Sequence, residues 1–214
     1  MIKAALINCS PKFKDSASDC LLEEVKKYLK DIEISKVELH TPEIKASAEE
    51  VLLNSDVLVF SLPLYVDGIP SHLLHALTRL EQLFRDKNRT VRVYAIVNSG
   101  FYEAQQNRLA LQIMKNWCVK SGLLWGQGVA VGAGGMILSI RSIPPEAGPK
   151  KKLTMALQKL SANISNCKES QDIYTVPGFP RFLYKLSADF GWGQAIKANG
   201  LKPKDLNRRL TKQE

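Results

Sequence analysis

The sequence contains an almost unbroken run of apolar residues from Val57 to Leu62, interrupted only by Ser61. Such a short run without polar alternation is typical of a strand that is covered on both faces, like the central strands of a parallel sheet. A strand of this kind is buried by helices that lie on the two sides of the sheet. The run therefore indicates an α/β protein built around a parallel sheet.

Strand-like runs alternate with segments of helical periodicity along the first 165 residues. The predicted strands are 2–8, 33–39, 56–62, 91–98 and 123–131, and the predicted helices are 18–30, 46–54, one that Pro70 opens, 103–121 and 150–165. This alternation predicts a three-layer, doubly wound sheet of five parallel strands with right-handed crossovers. Sequence order does not determine strand order, and 2-1-3-4-5 is the leading choice for five strands.

The alternation breaks after about residue 166. A turn over 176–180 and an amphipathic segment over 180–190 follow. We predict a sheet domain over 1–170 and a C-terminal helical extension over 171–214 that packs on the same domain. A dimer contact and a cover over the active site are the alternative roles of the extension.

Composition and charge narrow the class of protein. No apolar run reaches the roughly 18 residues that a membrane span needs, and the opening segment is too short for a signal peptide. We therefore predict a cytoplasmic protein with no membrane partner. The net charge of +9 is typical of an ordinary solvated basic surface, and attraction of phosphates, nucleotides or an acidic partner is the alternative. No nucleic-acid-binding motif is present, so we predict no nucleic-acid partner.

The cysteines and histidines do not predict a metal site. The four cysteines, at positions 9, 20, 118 and 167, form no C-x-x-C pair, and the histidines at 40, 72 and 75 are not set among them. We predict reduced, mostly buried thiols. Cys9 is the exception, because its place at a strand end predicts partial exposure and sensitivity to oxidation.

The loop that follows the first strand, residues 8–18, has the chemistry of a phosphate site. It is rich in hydroxyls, carries Lys12 and Lys14, and offers Ser18 as the cap of the next helix. A helix start presents unpaired N–H groups and the positive end of the helix dipole. The loop lacks both the G-x-G-x-x-G dinucleotide motif and the P-loop motif, and an ordinary capped loop is the alternative.

Two further loops are predicted at the same edge of the sheet. Residues 61–70 place Tyr65 between Pro63 and Pro70, with Gly68 allowing the backbone to turn or to approach a ligand. Residues 98–103 combine small residues with two aromatics before an acid. In such sheets ligands bind beyond the carboxyl ends of the strands, so the joint position of the three loops predicts a site for a flat, phosphorylated ligand.

These segments resemble the NADPH-dependent FMN reductase family of the flavodoxin-like superfamily. The likeness covers roughly residues 1–165 and is best in 10–12 with 16–18, in 55–56 leading to 63–65 and 69–70, and in 98–103, while Arg79 matches a basic residue common in the following helix. Cys9, Leu74 and Thr78 depart from it, since Gly, Lys and Asp are frequent there. The cysteine cluster of the iron–sulfur relatives is missing.

The resemblance implies a flavodoxin-like strand order and non-covalently bound FMN, with its phosphate in the first loop and its ring in the other two. NAD(P)H would supply hydride, and a quinone, another flavin or a nitro compound would accept electrons. It also implies a homodimer or higher homo-oligomer. The cofactor contacts that we predict are Ser10, Lys12, Ser16, Ala17, Ser18, Pro63, Leu64, Tyr65, Gly68, Ile69, Asn98, Ser99, Gly100, Phe101 and Tyr102.

Within this prediction the backbone N–H groups near Gly68 and Gly100 stabilise negative charge on the reduced ring. Lys12 and Arg79 are candidate contacts for a phosphorylated nicotinamide cofactor, and His72 and His75 are minor candidates for a catalytic acid. A flavodoxin-type electron carrier without its own substrate is the main alternative function. A flavin-free regulatory protein of the same fold is the other.

Overall fold

A six-stranded parallel sheet forms the centre of the protein, with strand order β2-β1-β3-β4-β5-β6. The structure is a computed structural model that describes residues 1–85 and 89–207. The strands are β1 Ile2–Asn8, β2 Ile32–Glu38, β3 Val57–Pro63, β4 Arg92–Asn98, β5 Leu124–Val131 and β6 Ile173–Thr175. The helices are α1 Ala17–Lys26, α2 Ala46–Asn54, α3 Ser71–Arg85, α4 Arg108–Ser121, α5 Lys151–Ser165 and α6 Arg181–Ala198.

The predicted α/β class and the order of the first five strands are confirmed, but the prediction of five strands is wrong. The sixth strand, β6, pairs with β5 over three residues. Asp172, just before β6, accepts hydrogen bonds from Trp125 Nε1 (3.2 Å) and from the N–H of Gly128 (2.9 Å), and it lies 2.7 Å from Lys115 Nζ. Polar contacts therefore fix this edge, and three residues are too few to show a strand pattern in the sequence.

The apolar run from Val57 to Leu62 lies in the central strand β3. Leu58, Phe60 and Leu62 pack in the core that includes residues of α3 and α4, whereas Val57 and Val59 pack in the core that includes residues of α1 and α5. All five of these side chains are fully buried. Because each face of the strand is covered, neither face requires polar residues.

Close packing against neighbouring side chains requires glycine at two positions of β5. A Cβ on Gly126 would lie 2.5 Å from the Tyr94 ring, and one on Gly128 would lie 2.7 Å from Leu111. The pairing with β4 skips Gly126, since Val93 faces Trp125 and Tyr94 faces Gln127. This irregularity lets the large Tyr94 ring occupy the space next to the strand.

The chain divides into two compact units, residues 1–178 and 179–214. The first unit contains the whole sheet, including β6, which lies inside the range that the sequence assigned to the extension. The second unit contains α6, which is longer than the predicted segment 180–190 and has no buried residue. Residues 208–214 of the predicted extension lie outside the described residues. Among the described helices, none is both long and apolar enough to span a bilayer.

All four cysteines are free thiols, and Cys9 differs from its prediction. The Cys9 side chain is completely buried, and burial together with the nearby Glu38 charge raises the pKa of its thiol. The expected exposure was wrong because the Cys9 N–H extends the pairing of β1 with β3 by donating to Ser61 O at 2.8 Å, and its side chain packs in the core cluster that includes Leu62 and Leu73.

We therefore expect iodoacetamide to modify Cys20 and Cys167, which are half-buried, well before Cys9 and Cys118. Burial raises the pKa of Cys118 to about 12, and only the thiolate reacts. Mass spectrometry of the folded protein at intervals after mixing measures the order. Early modification of Cys9 would contradict its burial, and denatured protein, in which all four react, is the control.

Candidate functional site

The start of α1 leaves two N–H groups free of helix hydrogen bonds. Ser16, rather than the predicted Ser18, caps the helix, since the Ser16 hydroxyl accepts the N–H of Asp19 at 3.0 Å and Ser18 lies within the first turn. The Cys20 N–H already donates to the carbonyl of Ser16 at 3.1 Å. Helix geometry gives Ala17 and Ser18 no such partner, and both residues line a cavity of about 200 Å³. The helix start thus presents donors and its positive dipole end to this cavity.

The buried side chain of Asn98 joins this helix to the two other predicted loops. Its Nδ2 donates to Ser18 Oγ (3.0 Å) and to the carbonyl of Leu62 (3.0 Å). The N–H of Leu64 donates in turn to the carbonyl of Asn98 at 2.8 Å. A single amide therefore holds α1 and the carboxyl ends of β3 and β4 around one cavity.

Ten of the fifteen predicted contacts line this cavity, namely Ser10, Lys12, Ala17, Ser18, Pro63, Leu64, Tyr65, Asn98, Ser99 and Gly100. The other five, Ser16, Gly68, Ile69, Phe101 and Tyr102, lie in the same loops but outside the lining. The structure thus brings the three loops together as predicted. Whether each residue binds a cofactor remains a prediction.

The second loop contains a tight turn in which two residues other than glycine, Val66 and Asp67, have left-handed backbone conformation. The N–H groups of Tyr65 and Gly68 each donate to the other residue's carbonyl at 3.0 Å. Between them Val66 has φ 48° and Asp67 φ 57°, the left-handed pair of a type I′ turn. The Gly68 N–H closes this turn, which is one of the two roles predicted for Gly68, and stabilisation of a ligand by N–H groups near Gly68 stays a prediction.

We expect Val66→Gly to stabilise the protein by about 1 kcal/mol, because left-handed backbone costs a β-branched residue roughly that much. The Val66 side chain is fully exposed, so its removal loses no packing. Urea unfolding measures the change, with Val66→Ala as the control that keeps a Cβ at this φ. A glycine variant no more stable than the alanine variant would refute the strain.

A fourth loop, which the sequence analysis missed, completes the wall of the cavity. The segment 132–135 (Gly-Ala-Gly-Gly) follows β5, and Gly134 and Gly135 line the cavity. The Gly134 N–H donates to the carbonyl of Ser99 and the Ala133 N–H to that of Phe101, both at 2.6 Å. A cluster of small residues at the carboxyl end of a fifth parallel strand was the available signal.

The remaining candidates lie away from the lining. His72 Nε2 is 3.0 Å from the carbonyl of Leu39, and burial lowers the pKa of its imidazole. His75 is exposed on α3. Arg79 is paired with Glu49 at 2.7 Å. Neither histidine nor Arg79 lines the cavity, and among the described residues no group of histidines, cysteines and acids has the arrangement of a metal site.

The polar groups at the cavity suit a ligand with a phosphate and a flat polar ring. The Ser99 hydroxyl is buried and has no hydrogen-bond partner within the described chain, a state that buried hydroxyls rarely keep without a ligand or water. Lys12 is the charged residue of the lining. The cavity is smaller than the roughly 300–1,000 Å³ of ligand pockets, so part of an FMN-sized ligand would lie over its rim, where Tyr65 and Phe101 are exposed.

No protein-family model matches the sequence, and the comparison with curated proteins gave no match. Solved structures do match. An NAD(P)H:quinone oxidoreductase from Methanothermobacter marburgensis has a TM-score of 0.57 at 13% identity, covering 76% of this chain and 96% of its own. A WrbA-like flavodoxin from Agrobacterium tumefaciens has a TM-score of 0.56 at 14% identity, covering 78% and 97%.

A third match is an FMN-dependent NADH-azoreductase from Bacillus anthracis in complex with FMN, with a TM-score of 0.51 at 16% identity and coverage of 78% and 100%. These matches span nearly the full length of the solved proteins. At such identities the likeness concerns the backbone. Together with the strand order, it shows that this chain has the flavodoxin-like fold that the resemblance implied.

Proposed function

We propose that this chain binds FMN non-covalently at the cavity and acts as an NAD(P)H-dependent oxidoreductase that passes electrons to a small acceptor such as a quinone, a flavin or a nitro compound. One observation carries the proposal: the unpaired donors of α1 and the unpartnered Ser99 hydroxyl line the same cavity at the carboxyl edge of the sheet. The names of the azoreductase and the quinone oxidoreductase, which mention FMN and NAD(P)H, support it.

The phosphate would lie at the start of α1. The Ala17 and Ser18 N–H groups supply hydrogen bonds there, and the exposed Lys12 supplies a positive charge. Ser10 is buried beside them, with Ser16 behind as the helix cap. Anions are stabilised by this combination of N–H donors and helix dipole, so these residues would bind the phosphate.

The ring would lie across the second and third loops. Pro63, Leu64 and Tyr65 offer an apolar wall, and Ser99 offers a hydroxyl to a polar ring edge. FMN, when bound, supplies the capacity to accept hydride and to release electrons. The chain contributes orientation and exclusion of water from one face. None of the described residues that line the cavity is acidic, so no carboxylate among them repels negative charge on the ligand.

The test is an absorbance spectrum of the purified protein with added FMN, followed by NADPH or NADH under anaerobic conditions. We expect retained flavin absorbance that either nucleotide bleaches. Retained flavin that neither nucleotide bleaches would contradict the enzyme and favour the electron carrier. Protein that takes up no FMN would contradict the whole proposal.

We further propose that the chain forms a homodimer or larger homo-oligomer in the cytoplasm, where its free thiols stay reduced. The basis for self-association is the family resemblance. Light scattering of the purified protein tests it, and a monomer at all accessible concentrations would contradict it.

A further inference from the structure

His40 lies between two oxygen acceptors just after β2. Its Nδ1 is 2.6 Å from the carbonyl oxygen of Ser10, and its Nε2 is 3.1 Å from Glu38 Oε2. The imidazole is largely buried, with 12% of its side chain exposed. The ring therefore bridges β2 to the first loop of the candidate site.

Both ring nitrogens face groups that only accept hydrogen bonds. A carbonyl oxygen has no proton to give, and neither has a carboxylate. The Glu38 carboxylate also accepts from Asn8 Nδ2 at 2.7 Å. The doubly protonated ring donates to both acceptors, whereas a singly protonated ring places a lone pair against one oxygen.

The bridge acts on residues that line the cavity. The Ser10 N–H donates to Asn8 Oδ1, and the Lys12 N–H donates to Ser10 Oγ, both at 3.2 Å. The Phe13 ring packs against His40, with 4.7 Å between ring centroids. His40 and Asn8 thus hold the Ser10 backbone from two sides, and Ser10 in turn orients Lys12.

We propose that His40 is a positioning residue for FMN binding, whose ring ties Ser10 to Glu38 and keeps the first loop in the shape that receives the phosphate. This inference rests on the proposed function. No contact between His40 and the ligand is needed, because His40 acts through Ser10.

Several titratable or charged groups surround this ring. Glu38 and Lys36 lie on β2, with 3.4 Å between Lys36 Nζ and Glu38 Oε1. Burial is the main reason why the pKa of His72 of α3 is lowered, and electrostatic interaction with His40 is a smaller one. Three other groups are nearby: the buried thiol of Cys9, and Glu43 and Lys45, which share a cavity wall with His40.

The test measures FMN dissociation constants by quenching of flavin fluorescence from about pH 5.5 to about pH 8.5, which brackets histidine titration. Wild type, His40→Gln and the control His75→Gln are compared. The phosphate of FMN titrates near pH 6, but the ratio of wild-type to His40→Gln affinity cancels its contribution. We expect this ratio to fall about fivefold to tenfold as the pH rises, close to the worth of one ordinary hydrogen bond, and His75→Gln to follow wild type.

A ratio that stays constant with pH would overturn the inference. If His40→Gln does not fold, Glu38→Gln replaces it and is expected to weaken the same pH dependence. If no protein binds FMN at any pH, the proposed function fails, and the bridge is tested separately by the scalar coupling across the hydrogen bond between His40 Nδ1 and the carbonyl carbon of Ser10. A measurable coupling would support the bridge, and its absence would overturn it.

Discussion

An Ala17→Asp variant is expected to bind FMN about 30-fold more weakly than the unchanged protein, a loss of ~2 kcal/mol from repulsion between two nearby anions. Ala17 is the first residue of α1, is half-buried and lines the cavity. Aspartate is favourable in the first turn of a helix, so the fold should persist. Fluorescence titration with FMN measures the loss.

The matched control is Ala17→Asn, which has nearly the same shape without the charge. We expect it to bind FMN within about threefold of wild type, since it adds no repulsion. Riboflavin, which lacks the phosphate, should distinguish the two variants only weakly. If Ala17→Asp weakened the binding of FMN and of riboflavin equally, the phosphate would not lie at the start of α1.

A Gly132→Ala variant is expected to lose about 3 kcal/mol of unfolding free energy, at the upper end of the usual cost of forced overpacking. A Cβ on Gly132 would overlap the carbonyl of Tyr102 and lie 2.9 Å from the Ala104 nitrogen. Both neighbours are backbone atoms, so relief requires the loop after β4 to move away from the end of β5. Chemical denaturation monitored by circular dichroism measures the change.

Gly100→Ala is the control for this prediction, because a Cβ on Gly100 would meet no atom within 4 Å. We expect its unfolding free energy to stay within about 0.5 kcal/mol of wild type, as for ordinary surface substitutions. If both alanine variants unfold alike, the close approach of the third and fourth loops is not what requires glycine.

The sheet was predictable where hydrophobic burial determines the sequence. The inner strands β1, β3 and β4 are mainly apolar because helices cover them, and the run in β3 shows this most clearly. The edge strand β2 instead intersperses apolar residues with charged and polar ones. The short β6 was not predictable, since its position depends on Asp172, Trp125 and Lys115, which are distant in sequence. Long-range polar contacts of this kind leave no periodic pattern.

The site was predictable as a set of loops but not in its details. Parallel topology brings strand ends together, which was sufficient to find the loops with Ser10, Tyr65 and Ser99. The contacts of individual glycines were not predictable, because backbone conformation is set by contacts: the Gly68 N–H closes a turn, one of the two roles predicted for it, and Gly134, which the sequence analysis missed, is packed against Ser99. His40 was overlooked because its partners, Ser10 and Glu38, become neighbours only on folding.

The most direct measurement of the central claim is a titration of ¹⁵N-labelled protein with FMN, followed by amide chemical shifts. We expect saturable, equimolar changes at the amides of Ala17, Ser18, Ser99 and Gly134, all of which line the cavity. Changes confined to other surfaces, such as the groove between α3 and α4, or no changes at saturating FMN, would contradict it.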